Sequence, residues 1–390
     1  MRAMRIAIVT ETYPPEINGV AVTIQRMIEG LRRRGHSIHL VRPRQGEGDW
    51  ASTTPGLEQT LVAGVAIPTY DFLKLGLPAL WKLRRLWASK RPHLVHVVTE
   101  GPLGWSGAAA AAALGIPCSS DFHTNFHTYT RHYGIGWLKG PIASYLRRLH
   151  NRTSCTIVPT DSLREELSQD GYLNLRVVAR GVDTALFYPA RRSDVLRRQW
   201  GAGPKDLVCI SVGRVAPEKN LTLLLRAFRA VKEARSDARL VVVGDGPERA
   251  RLEKQAPDVI FAGMRTGKDL ATHYASADLF LFPSMTETYG NVTVEAMASG
   301  LAVVAYEYAA AEQHIIHQRN GLLARFGDEN GFMDLAVDLA LDPGRIEIFR
   351  RRARQTAETI DWEEVHDDFE NVLIEVASSR RPHGALGAAA

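Results

Sequence analysis

The chain has 390 residues, 45% hydrophobic and 23% charged, which fits an ordinary soluble globular protein and excludes disordered and fibrous classes. That length is long for one domain and favours two. Lys and Arg outnumber Asp and Glu 22 to 13 over residues 1–180, a net +9, whereas residues 181–390 carry 26 against 30, a net −4; a basic first half suits an anionic partner, and the lack of a nucleic-acid motif or aromatic platform argues against nucleic acid.

Residues 5–10 are a short apolar run, a first strand that follows the N-terminus without the charged and hydrophobic regions of a signal peptide. The turn-prone Tyr13-Pro-Pro-Glu-Ile-Asn-Gly19 then leads to a helix over 21–34, stopped by Gly35. In an open α/β sheet this first loop lies at the carboxyl edge, where ligands bind, and Gly19 would admit a ligand close to the backbone; the plain alternative is a turn at Asn18-Gly19. Residues 36–43 and 61–68 are expected as the second and third strands, and strands interleaved with helices predict a parallel sheet. A helix over 77–91 sets Leu80, Trp81, Leu83, Leu86 and Trp87 against Lys82, Arg84, Arg85, Lys90 and Arg91. It reads either as an amphipathic helix docked on the sheet or as an interfacial helix whose basic face meets anionic head groups.

A strand over 93–98, an alanine-rich helix over 107–114 too short to cross a membrane, and a strand over 117–122 follow. The last delivers His123 at its carboxyl end, where active-site residues collect in such sheets, although a lone histidine is more often a core or surface residue. His127, with Tyr129, Arg131, Tyr133 and Lys139, could line an acceptor pocket or a solvated helix face. A basic helix over 142–152 and a strand over 155–159 close the first half. Cys118, Cys155 and Cys209 have apolar neighbours and no C-x-x-C spacing, so they read as buried thiols in a reducing, cytoplasmic setting rather than as disulfides or metal ligands.

After a turn-rich stretch over 180–189 and a polar one over 190–205, a strand over 207–212 runs into Gly213-Arg-Val-Ala-Pro-Glu-Lys-Asn220 and a leucine-rich helix over 221–231. Arg214 and Lys219 leave this strand-to-helix loop as a cationic clamp on a diphosphate would require; taken singly, each is a surface cation. A strand over 240–243, a structural turn at 244–247 and a strand over 259–262 come next. Residues 278–283 and 301–306 are apolar strands around a loop and helix, with Glu287 in the loop and Glu295 one turn into the helix. Gly290 and Asn291 stand at the helix start, where unpaired N–H groups and the dipole favour an anion. A phosphate beside two carboxylates suggests a sugar nucleotide, against the plain alternative of two solvated glutamates. Helices starting at 329, 345 and 362 close the chain, and the small, polar tail over 378–390 is expected to be disordered.

The Glu287-x7-Glu295 spacing, with Tyr289-Gly-Asn inside it and Ala296-Met-Ala-Ser-Gly after it, closely resembles the donor-sugar signature of the retaining GT-B glycosyltransferases of family 4. Three more stretches resemble that family in order: the loop at Gly19, where Asn18 replaces the first residue of the usual Gly-Gly-Val; His123-Thr124; and Gly213-Arg-x4-Lys-Asn220. Residues 308–311, Tyr-Ala-Ala-Ala, depart from its Gly-rich turn. The resemblance spans about 5–377 and implies an α/β GT-B fold, two Rossmann-like domains with parallel sheets facing an interdomain cleft. It places an acceptor-side domain at 1–185, a nucleotide-sugar domain at 186–360 and a helix over 361–377 returning to the first.

By the same resemblance Gly19, Arg214, Lys219 and the N–H groups of Gly290, Asn291 and Val292 would hold the diphosphate, with Gly213 and Tyr289 in the same loops. Glu295 would bind ribose hydroxyls, Glu287 sugar hydroxyls, His123 the region of the anomeric centre, and Met264 and Arg265 the base. No D-x-D occurs, so a nucleotide-diphosphate sugar without a metal ion is implied, and no side chain is placed as a nucleophile, which fits front-face transfer. The Glu11–Val20 and Thr286–Glu295 stretches resemble bacterial α-mannosyltransferases that use GDP-mannose on glycolipids, phosphatidylinositol mannosyltransferases included. They also resemble UDP-sugar enzymes that act on diacylglycerol. The expected partners are the donor, a glycolipid or glycan acceptor and, as an option, an anionic membrane surface reached from the cytoplasm. A GT-B epimerase or an inactive sugar-nucleotide-binding protein is the alternative from another class; the intact set of site residues argues against inactivity, and the Glu287-x7-Glu295 unit, which by the resemblance belongs to the transferases, argues against the epimerase.

Overall fold

Most strands are short runs buried on both faces, as parallel sheets covered by helices require. The computed structural model describes residues 3–16, 18–67, 70–123 and 139–379, which divide into two compact units. His127, Tyr129, Arg131, Tyr133, the side chain of Lys139 and the tail from 380 lie outside the described residues.

The first unit takes the described residues up to 123, then 139–179 and 363–379. Its strands are β1 (Arg5–Val9), β2 (Ser37–Pro43), β3 (Thr53–Thr54), β4 (Leu57–Val62), β5 (Gly64–Ile67), β6 (Tyr70–Gly76), β7 (Leu94–Val97), β8 (Cys118–Asp121), β9 (Cys155–Val158) and β10 (Leu175–Val177). The main sheet runs β10-β9-β8-β7-β1-β2-β4-β3, parallel except for β3, and β5 and β6 form a separate antiparallel hairpin. The expected third strand over 61–68 is therefore wrong: β4 ends at Val62 and the chain turns into the hairpin. The helix Trp362–Ser378 packs on the helix Gly19–Arg33, where Gly30 leaves room for the His366 ring; a Cβ there would come within 2.4 Å of it.

The amphipathic helix is Leu80–Ser89, shorter than expected. Leu83 and Trp87 are buried, Trp87 Nε1 donates to His39 Nδ1 at 3.3 Å, Lys82 reaches the Leu61 carbonyl at 2.8 Å and Lys90 pairs with Glu58. The helix is thus docked on the sheet. Trp81, 75% exposed beneath the Arg84 guanidinium, stays on its outer side.

The second unit, 180–362, contains β11 (Val208–Val212), β12 (Arg239–Val243), β13 (Ile260–Gly263), β14 (Leu279–Phe282), β15 (Ala302–Tyr306) and β16 (Leu322–Ala324). Its order, β13-β12-β11-β14-β15-β16, is that of a dinucleotide-binding sheet. Successive side chains alternate between two cores: Cys209, Leu279 and Leu281 face one, Ile210, Phe280 and Phe282 the other.

Asp278, expected inside an apolar strand segment, is instead an ionic hub. Its carboxylate lies 2.9 Å from Arg192, 3.1 Å from Arg197 and 3.7 Å from Arg350, and accepts the Val208 N–H at 2.9 Å. The pairing joins the segment after the crossing, the helix Pro343–Ala357 and the start of β11. Asp278→Ala leaves those arginines facing one another in a largely buried place, and we expect a loss of about 3–5 kcal/mol, read as a lower denaturant midpoint.

Candidate functional site

In an open parallel sheet the strand order reverses at one point, and the loops leaving the two strands there diverge and open a crevice at the carboxyl edge. In the second unit that point is β11/β14. The loop after β11 carries Gly213, Arg214, Glu218 and Lys219, and the loop after β14 carries Ser284, Thr286 and Glu287, so the two sets meet. Lys219 Nζ lies 2.5 Å from Glu287 Oε1 and 3.2 Å from the Thr286 carbonyl, and Ser284 Oγ donates to the same Glu287 oxygen at 2.7 Å. Arg214 is ion-paired with Glu218, which is wholly buried and whose carbonyl accepts the Met285 N–H at 3.1 Å.

The glycines of the neighbouring turn support this loop by having no side chains. A Cβ on Gly244 would sit 1.9 Å from the Gly213 carbonyl oxygen, and one on Gly246 2.4 Å from that of Val215. Residues 244–247 are thus a structural turn, as their sequence suggests.

Gly290 adopts φ +89°, a conformation glycine enters at little cost, and turns the chain into the helix Asn291–Ala298 without a side-chain cap. Residues at this helix start therefore offer backbone donors toward the loop of Glu287. One turn on, Glu295 Oε2 accepts the Tyr274 hydroxyl at 3.1 Å, and burial pushes its carboxyl up to about 7 despite that bond. Tyr274 also lies 3.4 Å from the Val292 carbonyl. Tyr289 does not join the group: it is buried, and its hydroxyl donates to the Arg180 carbonyl at 3.0 Å and lies 2.9 Å from His314 Nε2.

Met264, half-exposed, and Arg265 follow β13, two strands from β11. That is about 10 Å along the sheet edge, a span that a nucleoside can bridge. Arg265 folds back on its own loop, donating to the Ala262 carbonyl at 2.8 and 3.0 Å.

In the first unit the reversal lies at β1/β7. Gly19 is not in the loop but is the first residue of its helix; Asn18 caps it, accepting the Ala21 N–H at 2.8 Å and donating to Thr12 Oγ1 at 2.6 Å. Capping thus accounts for an asparagine here. Glu11, buried, accepts the Leu103 N–H at 2.9 Å at the start of the helix Pro102–Leu114, and burial pushes its carboxyl up to about 7, with Glu100 adding to the shift. His123 stands just past β8. Its N–H donates to Glu100 Oε1 at 3.2 Å, and its Nε2 lies 3.1 Å from Asp121 Oδ2.

The sequence reading missed Glu218, Tyr274, Asp121 and the buried pair Glu11 and Glu100. Glu218 stands inside the Gly-Arg-x4-Lys stretch and could have been noticed there; nothing local marks Tyr274. Among the described residues no group of three or more His, Cys, Asp or Glu is arranged to hold a metal ion.

Residues 17–186 match the family model described as Glycosyltransferase Family 4, and residues 206–342 that described as Glycosyl transferases group 1. A GDP-mannose-dependent alpha-mannosyltransferase of Mycobacterium tuberculosis (strain CDC 1551 / Oshkosh) is 35% identical over 358 residues, 90% of this chain and 92% of that protein. The chain is a family 4 glycosyltransferase. An alpha-monoglucosyldiacylglycerol synthase of Streptococcus pneumoniae (strain ATCC BAA-255 / R6) is 28% identical over 78% of this chain and 71% of its own. Among solved structures, sucrose-phosphate synthase from Thermosynechococcus elongatus is similar with a TM-score of 0.77 at 17% identity, covering 96% of this chain and 99% of that one. The glycosyltransferase accordingly has the GT-B fold, with a Rossmann-like parallel sheet in each half.

The Glu11 carboxyl is raised from 4.5 in the unfolded chain to about 7 in the fold. Between those values the folded state binds the extra proton, so this group's stabilisation is complete below pH 4.5 and is lost as pH rises through 7. Glu11→Gln, which can still accept from Leu103, should therefore gain stability over the wild type at pH 8 and not at pH 4.5, compared by urea midpoints.

Proposed function

We propose that this glycosyltransferase moves mannose from GDP-mannose to a hydroxyl of a glycolipid or other glycan, with retention at the anomeric carbon. The reading is carried by two cation–carboxylate pairs, Lys219 with Glu287 and Arg214 with Glu218, at the strand-order reversal of the second unit, where the helix that carries Glu295 also starts. The relative at 35% identity, which uses GDP-mannose by its name, supports the choice of donor.

In this reading Arg214, Lys219 and the N–H groups at Gly290, Asn291 and Val292 hold the diphosphate, beside the backbone of Gly213 and Tyr289. Glu287 accepts from sugar hydroxyls and Glu295 from ribose hydroxyls, while the Met264–Arg265 loop faces the base. In the first unit Gly19 is assigned to the diphosphate and His123 to the sugar. The Lys219–Glu287 pair exchanges on binding: the ammonium turns to phosphate oxygens while the carboxylate takes hydroxyl donors, so neither charge is left alone.

The acceptor oxygen bonds to the anomeric carbon as the bond from that carbon to the phosphate oxygen breaks, on the same face. The bonding electrons leave with the diphosphate, whose growing charge the two cations stabilise, and the acceptor proton passes to a leaving phosphate oxygen. No metal ion is given a part.

A UDP-sugar enzyme acting on diacylglycerol is the second reading, favoured by the Streptococcus relative. GDP, rather than UDP, should raise the melting temperature, and GDP-mannose should be consumed to give an α-linked product by NMR. Lys219→Ala should lower kcat by about 10²–10³-fold, as loss of one preorganised donor to a departing oxyanion does. A shift with UDP alone would move the choice to the second reading.

A membrane surface is the proposed place of the acceptor. Trp81 and Arg84 stand outward on a basic helix of the first unit, and among the described residues no helix is long and apolar enough to cross a bilayer. Co-sedimentation should be stronger with anionic than with neutral vesicles at low salt; equal binding to both would count against it.

A further inference from the structure

β8 ends in a carboxylate that is shared. Asp121 Oδ2 lies 3.1 Å from His123 Nε2, and its Oδ1 lies 3.3 Å from Nε2 of His96 on the neighbouring β7. The group is closed off from water: the Asp121 side chain is 3% exposed and that of His96 fully buried. His96 is itself fixed, with Nδ1 2.9 Å from Ser119 Oγ and Phe369 packed edge-on against its ring. Burial would raise the Asp121 carboxyl, but the two imidazoles beside it, with the hydrogen bond from His123, outweigh that and hold it well below the usual range.

A buried carboxylate between two imidazoles could be an internal support and nothing more. Two observations point further. Asp121 stands at the carboxyl end of β8, on the edge where ligands bind such sheets, and the ring it holds is the one assigned to the donor sugar. His123 is also fixed twice, because the Glu100 carboxylate, itself 2% exposed, accepts its backbone N–H at 3.2 Å. Main chain and ring are each fixed by a buried carboxylate, which is more than packing alone requires and is what a preorganised group needs.

We propose that Asp121 is a positioning residue for glycosyl transfer: it keeps the Nε2 proton on His123, fixing the ring in one orientation and one tautomer in which Nδ1 accepts a hydrogen bond from a hydroxyl of the donor sugar. An ionised carboxylate can only accept, so the nitrogen beside it carries the hydrogen, and in the neutral ring the other nitrogen is then the acceptor. Without Asp121 the tautomers interchange, and the ring can present an N–H where a hydroxyl hydrogen must enter. The proposal rests on the glycosyl-transfer reading and on the assignment of His123 within it.

The test is a double-mutant cycle on the full-length enzyme with GDP-mannose and acceptor. Asp121→Asn should lower kcat by about 10–100-fold, the worth of one charge-assisted hydrogen bond, while KM for GDP-mannose and the thermal shift given by GDP stay within about twofold. His123→Ala should lower kcat at least as far, and adding Asp121→Asn to it should cost nothing more. Asp121→Glu, which keeps the charge, should recover part of the loss and serves in the same cycle if the Asn variant does not fold. Equal losses from the Asp121 variants with and without His123 would overturn the proposal and make Asp121 a structural support. An unchanged kcat in His123→Ala would overturn the assignment of His123, and with it this role for Asp121; a wild-type enzyme that turns over no nucleotide sugar would overturn the transfer reading beneath both.

Discussion

Parallel strands bring all their carboxyl ends to one edge of a sheet, and a single reversal of strand order leaves one place on that edge where neighbouring loops part. Both units obey this constraint, at β1/β7 and at β11/β14, and Arg214, Lys219 and Glu287 gather at the second of these points. Lys219 and Glu287 are 68 residues apart in the chain yet touch, because the strands that deliver them are hydrogen-bonded neighbours.

Charges partly withdrawn from water need partners whether or not a ligand is bound. The second unit meets this need with carboxylates that are themselves useful. Glu218, fully buried, holds Arg214, and Glu287 holds Lys219. In the proposed reading a ligand would exchange these partners instead of meeting bare charges, so the cost of desolvation stays low and the side chains are ordered in advance. Glu295 differs, because it has a hydroxyl partner and no cation; its carboxyl therefore rises to about 7, and ribose hydroxyls would favour the ionised form.

What could be read from the sequence was whatever leaves a mark at fixed spacing. The strand, loop and helix around Glu287 and Glu295 were legible because two apolar runs bracket a stretch whose glycines stand where the backbone requires them, with Gly290 at φ +89° and Gly300 at φ +73°. The hairpin over 64–76 was not, since the unbroken run of apolar and small residues over 61–68 looks the same whether the chain continues or folds back after Val62. Ala309 is a subtler case: it takes φ +54°, a left-handed conformation that costs alanine more than glycine, so an alanine at this position adds local strain. Asp278 was assigned to an apolar strand because the arginines that pair with it lie far away in sequence, and His123 could be placed while Asp121, two residues before it, could not. Pairing between distant charges has no sequence period.

The segment that crosses between the units is firmly attached to one of them. Arg354 donates to the Phe187 carbonyl at 2.8 Å and the Ala298 carbonyl at 2.8 Å, and Tyr289 bonds the Arg180 carbonyl, so residues 180–187 are anchored to the second unit. The last helix is bound as firmly to the first, through Arg34 with Glu363, Asp367 and Glu370 and through His36 with Glu370. A chimaera that exchanges the second unit between relatives must therefore be spliced at 179/180 and again at 362/363. One junction in the middle of the chain would part the final helix from its seat and the new second unit from its own anchoring strap.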